Sequence, residues 1–167
     1  MRKNILIIGG TGFLGYHLAK KCLDKKWKVS SVSIKKSKKI RFLSKVNYLY
    51  FDISNKKNLK KYLKLKYDYV VNLGGHVNHK EKIKTFKSHY NGSKNLVDFF
   101  LNKNIKSFLQ VGSCVEYGIC ESPQNEKNYT KPKYLKSTYG KAKLQATNYL
   151  LKINKKFNFP GNIIRFY

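Results

Sequence analysis

The segment that decides the fold is KNILIIGGTGFLG, residues 3–15. Its first part, Asn4–Ile8, is rich in Ile, too short for a buried helix and followed directly by glycine, so it predicts a central parallel strand. Glycines stand at positions 9, 10, 12 and 15, and a helical pattern begins at Phe13. Such a strand, glycine turn and helix N-terminus form an anion site, because the turn backbone is open and the helix dipole faces the charge.

Two glycine spacings fit this turn. Gly9-x-x-Gly12-x-x-Gly15 and Gly10-x-Gly12-x-x-Gly15 are both present, and the second is the general fingerprint of a dinucleotide diphosphate site. A glycine triplet alone is weak evidence. Its place between a strand and a helix favours a bound dinucleotide over a plain strand–helix turn.

Length and composition bound the class of protein. With 167 residues, 41% of them hydrophobic, the chain predicts one domain, residues 1–167, with enough core to fold alone. The apolar runs are too short for a membrane span or for a signal peptide, so we expect a cytoplasmic protein. The cysteines at positions 22, 114 and 120 and the four histidines show no disulfide or metal-ligand pattern, so we expect no metal.

The net charge of +28 allows a nucleic-acid interpretation. However, Arg occurs only at positions 2, 41 and 165, and the lysines are spread along the whole chain. Proteins that read phosphates or bases usually use more Arg. The pattern therefore favours solvated Lys-rich faces, which would attract anionic ligands at low salt, over a nucleic-acid footprint.

Strand and helix patterns alternate along the chain. After the first strand, further strands are predicted at 28–34, 48–51, 68–73, 106–111 and 162–166. Helices are predicted at 15–25, 59–65, 79–102 and 137–152, with a basic loop at 35–39 and a polar loop at 121–133. This alternation predicts an α/β, doubly wound parallel sheet of strand order 3-2-1-4-5-6, with a ligand at the carboxyl ends of the strands.

The end of the second strand bears on the choice of dinucleotide. A carboxylate there accepts from the ribose hydroxyls of NAD, but no acid lies between Val29 and Lys39. Ser33 ends the strand, and Lys35 and neighbouring lysines follow, which suits a 2′-phosphate and favours NADP over NAD. Asp52, after the third strand, either accepts from the adenine amino group or acts as a turn residue.

Tyr139 and Lys143 are candidate catalytic residues. They stand four apart, so a helix places both on one face, where an ammonium makes a nearby phenol a better acid. Tyr-x-x-x-Lys also occurs at 16/20, 62/66, 90/94 and 129/133, so position must decide. Tyr139 begins the helix after the fifth strand, which ends near Ser113. Ser113 could hold a substrate oxygen while Tyr139 moves the proton; alternatively, these are a turn serine, a half-buried aromatic residue and a surface lysine.

Taken together, these motifs resemble the extended short-chain dehydrogenase/reductase family of NAD(P)-dependent sugar-nucleotide epimerases, dehydratases and reductases, which share a Rossmann fold. The resemblance runs from Lys3 to Tyr167. It rests on GGTGFLG at 9–15, FDIS at 51–54, VVNLGG at 70–75, GSCVEYG at 112–118, YGKAK at 139–143 and IIRFY at 163–167.

The resemblance implies roles for particular residues. Ser113, Tyr139 and Lys143 would be catalytic in hydride transfer between a nicotinamide and a sugar carbon, with Tyr139 as acid/base and Tyr139 and Lys143 also on the cofactor. The other cofactor-binding residues would be Gly9, Gly12, Phe13, Leu14, Gly15, Ser33, Lys35, Asp52, Ile53, Leu73, Gly74 and Gly75. The partner would be a nucleotide sugar, and a homodimer would form through the helices at about 80–102 and 137–152.

Four departures refine this picture. His89 stands where the family often has Asn, three residues before Gly92, and Ser33 replaces the NAD-type acid. Cys114 and Val115 occupy positions where sugar dehydratases carry an acidic pair or a Glu, which favours an epimerase or ketosugar reductase. Family members also continue past the sixth strand, so the chain looks like a truncated cofactor domain that lacks most of the C-terminal substrate lobe.

Two other functions remain open at this stage. A non-catalytic dinucleotide-binding sensor or scaffold would keep the fold, although it would not need Ser113, Tyr139 and Lys143. A nucleic-acid binder would use the positive charge, and its affinity would fall steeply with salt.

Overall fold

The computed structural model describes residues 2–119, 123–126 and 135–167. Within these ranges the strands are β1 (Asn4–Ile8), β2 (Lys28–Ser33), β3 (Val46–Tyr50), β4 (Tyr69–Asn72), β5 (Ser107–Ser113) and β6 (Gly161–Phe166). The α-helices are α1 (Phe13–Asp24), α2 (Lys56–Tyr62), α3 (Lys82–Phe86), α4 (Gly92–Phe100) and α5 (Thr138–Phe157). A π-helical turn, Lys87–Asn91, joins α3 to α4, and 3₁₀ turns span Lys39–Arg41 and Cys114–Tyr117.

The six strands form one parallel sheet of order β3-β2-β1-β4-β5-β6. This confirms the predicted fold class and strand order. Because the strands are parallel, all their carboxyl ends lie along the same edge of the sheet. The glycine turn after β1 and Ser113 at the end of β5 therefore lie along one edge.

The sheet is apolar on both faces, which explains the unbroken Ile-Leu-Ile-Ile run of β1. Leu6 and Ile8 point into a core shared with α2, α4 and α5, which contains the fully buried Phe100 and Phe108. Ile5 and Ile7 point to the opposite face, where α1 packs. Alternate residues of a strand face opposite sides, so β1 contributes to both cores.

Several predicted bounds differ from the observed ones. Helix α2 begins three residues before the predicted start at 59, because the side chain of Asn55 caps it by accepting from the Lys57 N–H at 3.1 Å. Helix α5 continues past the predicted end at 152 to Phe157 and ends at Asn158, whose φ is 50°. The predicted long helix over 79–102 begins only at Lys82 and contains the π-helical turn.

The strand ends differ as well. Strand β5 extends two residues past its predicted end at 111, so that Ser113 is its last residue, and β3 begins at Val46 instead of 48. Most of the polar loop predicted at 121–133 lies outside the described residues. Among the helices of the described ranges, none combines the length and apolar character needed to cross a bilayer.

Candidate functional site

The glycine turn after β1 is tightly closed. Gly9 has a φ of +80°, a conformation that favours glycine, and its N–H donates to the Val32 carbonyl at 2.7 Å. A Cβ on Gly9 would press on the backbone of Leu73 and Gly74 at 3.0 Å. The turn is therefore packed between the ends of β2 and β4.

Gly12 and Gly15, the other two glycines of the 9/12/15 spacing, have different surroundings. A Cβ on Gly15 would collide with the carbonyl oxygen of Gly9, so Gly15 lets α1 pack directly on the turn. A Cβ on Gly12 would meet only that same oxygen, at 3.2 Å, and Gly12 has no side chain to cap the first turn of α1. The first N–H groups of α1 are thus left for an anion.

The residues around this turn fit a dinucleotide diphosphate. A Cβ on Gly10 would collide with the Ser31 side chain, so Gly10 is closely packed like Gly9 and Gly15, and Gly12 has the most room of the four glycines. Phe13 and Leu14 begin α1 and are 66% and 48% exposed. Their backbone N–H groups belong to the uncapped first turn.

The end of β2 is joined to the glycine turn. The Ser33 hydroxyl accepts from the Thr11 N–H at 3.3 Å. Lys35 and Lys36 lie exposed just beyond it. Ser33 therefore makes a structural contact with the turn, and its place beside the cofactor ribose stays a prediction.

Asp52 and Ile53 follow β3. One carboxylate oxygen of Asp52 accepts from the Ser54 N–H at 2.8 Å, which is the turn role that the sequence left open. The Ile53 side chain is buried against Gly92, and its carbonyl accepts from Asn95 at 3.1 Å. The side chain of Ile53 thus points into the core, and its predicted cofactor contact stays a prediction.

The end of β4 is fixed by the buried side chain of Asn72. Its amide nitrogen donates to the Ser93 hydroxyl at 3.0 Å and to Gln110 at 2.9 Å. Its oxygen accepts from the Gly74 N–H at 3.1 Å. These hydrogen bonds of Asn72 fix the start of the segment that follows β4. Within it, Leu73 and Gly74 lie next to Gly9 of the glycine turn, and Gly75 is exposed.

The predicted catalytic residues come from adjacent elements. Ser113 ends β5, and Tyr139 lies in the first turn of α5, with Lys143 one turn later on the same face. The Lys143 Nζ lies 5.8 Å from the centre of the Tyr139 ring and donates to the Val111 carbonyl at 2.7 Å. Burial lowers the pKa of Lys143 to about 8, and the negative charge of Glu116 opposes that change.

Two histidines contact Tyr139, which the sequence did not predict. His79 stacks on the ring at 4.0 Å between centroids, and His89 meets it edge-on at 4.9 Å. His89 is buried, and its Nε2 lies 3.1 Å from the His76 carbonyl, so Nε2 donates. Burial and the Lys143 charge lower the pKa of His89 to about 4, so it is neutral at physiological pH. Gly75 gives this imidazole room, since a Cβ there would collide with the ring.

Sequence reasoning also missed the part played by Glu116. The sequence assigns this residue no role. In the structure Glu116 is 1% exposed, and its Oε1 accepts from the Ser113 N–H at 2.9 Å. Its Oε2 accepts from the Thr147 hydroxyl at 2.8 Å and from Arg165 Nε at 2.9 Å. The sequence carries no local signal for this contact, because Glu116 and Arg165 stand 49 positions apart.

The fold and the site define a doubly wound α/β domain with a glycine turn at β1 and a Ser-Tyr-Lys group at β5 and α5. The family model described as the NAD dependent epimerase/dehydratase family matches residues 5–167. The chain belongs to this family. No curated protein matches the chain significantly.

Solved structures of similar fold include the UDP-glucose 4-epimerase of Thermotoga maritima, with 22% identity and a TM-score of 0.86 over 97% of this chain and 54% of that one. The UDP-Glc/GlcNAc 4-epimerase of Campylobacter jejuni shows 20% identity and 0.86 over 99% and 53%. The Bordetella bronchiseptica enzyme WbmG, solved with NAD, shows 18% identity and 0.86 over 99% and 53%. The chain therefore spans about half the length of these structures.

Proposed function

We propose that this chain is the dinucleotide-binding part of a sugar-nucleotide epimerase or ketosugar reductase. The observation that carries the proposal is the placement of two groups along one edge of the sheet. The N-terminus of α1 directly follows Gly12, has no side-chain cap and is suited to a diphosphate. Ser113 ends β5, and Tyr139 and Lys143 lie in the first turns of α5.

Family membership supports the cofactor class, because the family description names NAD. The solved neighbours support the substrate class, since their printed names include UDP-sugar epimerases. We propose NADP or NAD as the cofactor, with NADP preferred. The preference rests on β2, which ends in Ser33 without a carboxylate and is followed by the exposed Lys35.

Three side chains would take part in the proposed hydride transfer. A bound nicotinamide would supply reversible hydride acceptance from a sugar carbon. The Tyr139 phenol would take or return a proton at the substrate oxygen, and the Ser113 hydroxyl would donate a hydrogen bond to the same oxygen. The Lys143 ammonium would contact the ribose hydroxyls beside them. Dehydration is not proposed, because Cys114 and Val115 supply no carboxylate.

The cofactor part is tested by the melting temperature of the chain with NADPH or NADH at physiological salt. A ligand at about 100 times its dissociation constant adds roughly 2.7 kcal/mol to the free energy of unfolding. A larger shift with NADPH is the expected result, and a shift with NADH alone would overturn the NADP preference. No shift with either would contradict the proposed site.

The reaction is tested by incubating the chain with oxidised dinucleotide and UDP-sugars. Appearance of reduced nicotinamide or of an epimerised sugar would support the enzyme. In a protein that carries this domain together with a substrate lobe, binding of the dinucleotide without any turnover would favour a non-catalytic sensor or scaffold over the enzyme.

A further inference from the structure

The buried carboxylate of Glu116 joins three elements that carry the candidate site. It lies in the 3₁₀ turn after β5, and its hydrogen-bond donors come from β5, α5 and β6: the Ser113 N–H, the Thr147 hydroxyl and the Arg165 guanidinium. A carboxylate is almost never fully buried unless it is paired, and removing its partners is costly. Because three donors bind it, the position of the Glu116 carboxylate is fixed.

One consequence concerns Ser113. The bond from its N–H to Glu116 holds the backbone at the point where the Ser113 side chain leaves the sheet edge. Gly112 makes room for the carboxylate, since a Cβ there would lie 2.5 Å from Glu116 Oε1. The backbone position of Ser113 is therefore tied to Glu116.

The second consequence concerns Lys143. Thr147 follows Lys143 by one helical turn, so both lie on the same face of α5. Thr147 contacts Glu116, and Lys143 contacts the Val111 carbonyl two residues before Ser113. The carboxylate thus lies beside the face of α5 that presents the ammonium.

We propose that Glu116 is a positioning residue for the catalytic group: it fixes the backbone of Ser113 and places a carboxylate beside the face of α5 that presents the Lys143 ammonium. The inference rests on the proposed function for its meaning, since Ser113 and Lys143 need this arrangement only if they are catalytic. Its test needs neither cofactor nor turnover.

Several charged or titratable groups face Lys143. They are Glu116 from the 3₁₀ turn, His89 from the π-helical turn, Tyr139 from its own helix and Arg165, beyond Glu116, on β6. Glu116 is the only carboxylic acid side chain among these four. Its charge opposes the burial that lowers the pKa of Lys143 to about 8. Neutralising Glu116 should therefore lower that pKa further.

The experiment is an NMR titration of the chain with isotopically labelled lysine Cε, in which a Lys143→Met variant assigns the Lys143 signal. Glu116→Gln keeps the size of the side chain and removes its charge. The expected result is a Lys143 midpoint below the wild-type value, together with an upfield shift of the Ser113 amide proton. An unchanged midpoint and an unchanged amide signal would overturn the proposal.

Two matched variants separate charge from packing. Asp98→Asn also replaces a carboxylate by an amide, but in the ion pair between Asp98 and Lys94. It should leave the Lys143 midpoint unchanged. Thr147→Val removes a hydrogen bond to Glu116 without removing its charge, and it should shift the midpoint much less than Glu116→Gln does. Equal shifts in Thr147→Val and Glu116→Gln would mean a merely structural role.

A further variant decides the matter if Glu116→Gln does not fold. Arg165→Gln leaves the carboxylate and removes the cation paired with it. More of the negative charge then acts on Lys143, so its midpoint should rise, opposite in sign to the effect of Glu116→Gln. A midpoint that falls or does not move would contradict the proposal.

Discussion

The imidazole of His79 lies nearly parallel to the Tyr139 ring, with centroids 4.0 Å apart and planes 13° from parallel. The two residues come from different segments, the loop before α3 and the start of α5. His79 is exposed, so the contact contributes little buried area to the fold. Its effect should be to restrict the orientation of Tyr139.

His79→Ala should free the Tyr139 ring without unfolding the chain. Aromatic pairs contribute about 0.5–1.5 kcal/mol beyond their buried area, so the stacked orientation should become roughly threefold to tenfold less populated. The measurement is the upfield ring-current shift of the Tyr139 ring protons, which should be lost in His79→Ala. His79→Phe retains a stacking partner and should preserve the shift; loss of the shift in both variants would contradict simple stacking.

The buried His89 should make stability depend on pH in a defined window. Its pKa is lowered from 6.5 to about 4 by burial and by the Lys143 charge, so the unfolded chain binds a proton more readily than the folded one. The stability gained is present above about pH 6.5 and is lost as the pH falls towards 4. Over that range we expect a loss of about 3 kcal/mol in the free energy of unfolding.

Urea unfolding at several pH values checks this expectation. His89→Phe removes the titrating group while keeping an aromatic ring, so its stability should vary less between pH 6.5 and 4 than that of the wild type. The slopes are compared, because the variant also loses the bond to the His76 carbonyl. Equal slopes in both proteins would show that another group titrates in this window.

The glycines of the turn should differ in their tolerance of alanine. Gly15→Ala places a methyl group against the Gly9 carbonyl, so overpacking should destabilise the chain by about 1–3 kcal/mol. Gly12 has a φ of −76°, which any residue adopts, and more room, so Gly12→Ala should change stability much less. Melting temperatures without ligand test the difference, and equal losses would contradict the packing described here.

In a protein that carries this domain together with a substrate lobe, Tyr139→Phe should abolish turnover while leaving dinucleotide affinity nearly unchanged. The phenyl ring can still contact His79 and His89, but it has no proton to exchange with a substrate. Turnover and a binding titration of the same preparation separate the two effects. A parallel loss of affinity and turnover would mean that Tyr139 has a structural role.

Features encoded by local sequence were predictable. The apolar run before Gly9 and the alternation of strand and helix patterns give the strand order, since parallel connections allow few topologies. The helical spacing of Tyr139 and Lys143 likewise placed both on one face of α5.

The homodimer expected from the family resemblance stays a prediction.

Contacts between distant segments were not predictable. Glu116 meets Arg165 across 49 positions, and Ser33 meets Thr11 across 22, so neither pairing leaves a local pattern. The start of α3 was predicted too early, because the segment around His79 was included in the helix. That segment instead forms an irregular loop whose imidazole packs on Tyr139.

The most direct test of the account is an equilibrium titration of the wild-type chain and of Gly12→Val with NADPH and NADH. The valine side chain would fill the space above the first turn of α1, where we place the diphosphate, at a backbone conformation that valine tolerates. The account predicts saturable binding by the wild type and a large loss of affinity in a folded Gly12→Val. Equal affinity in both proteins, or no binding by the wild type, would contradict it.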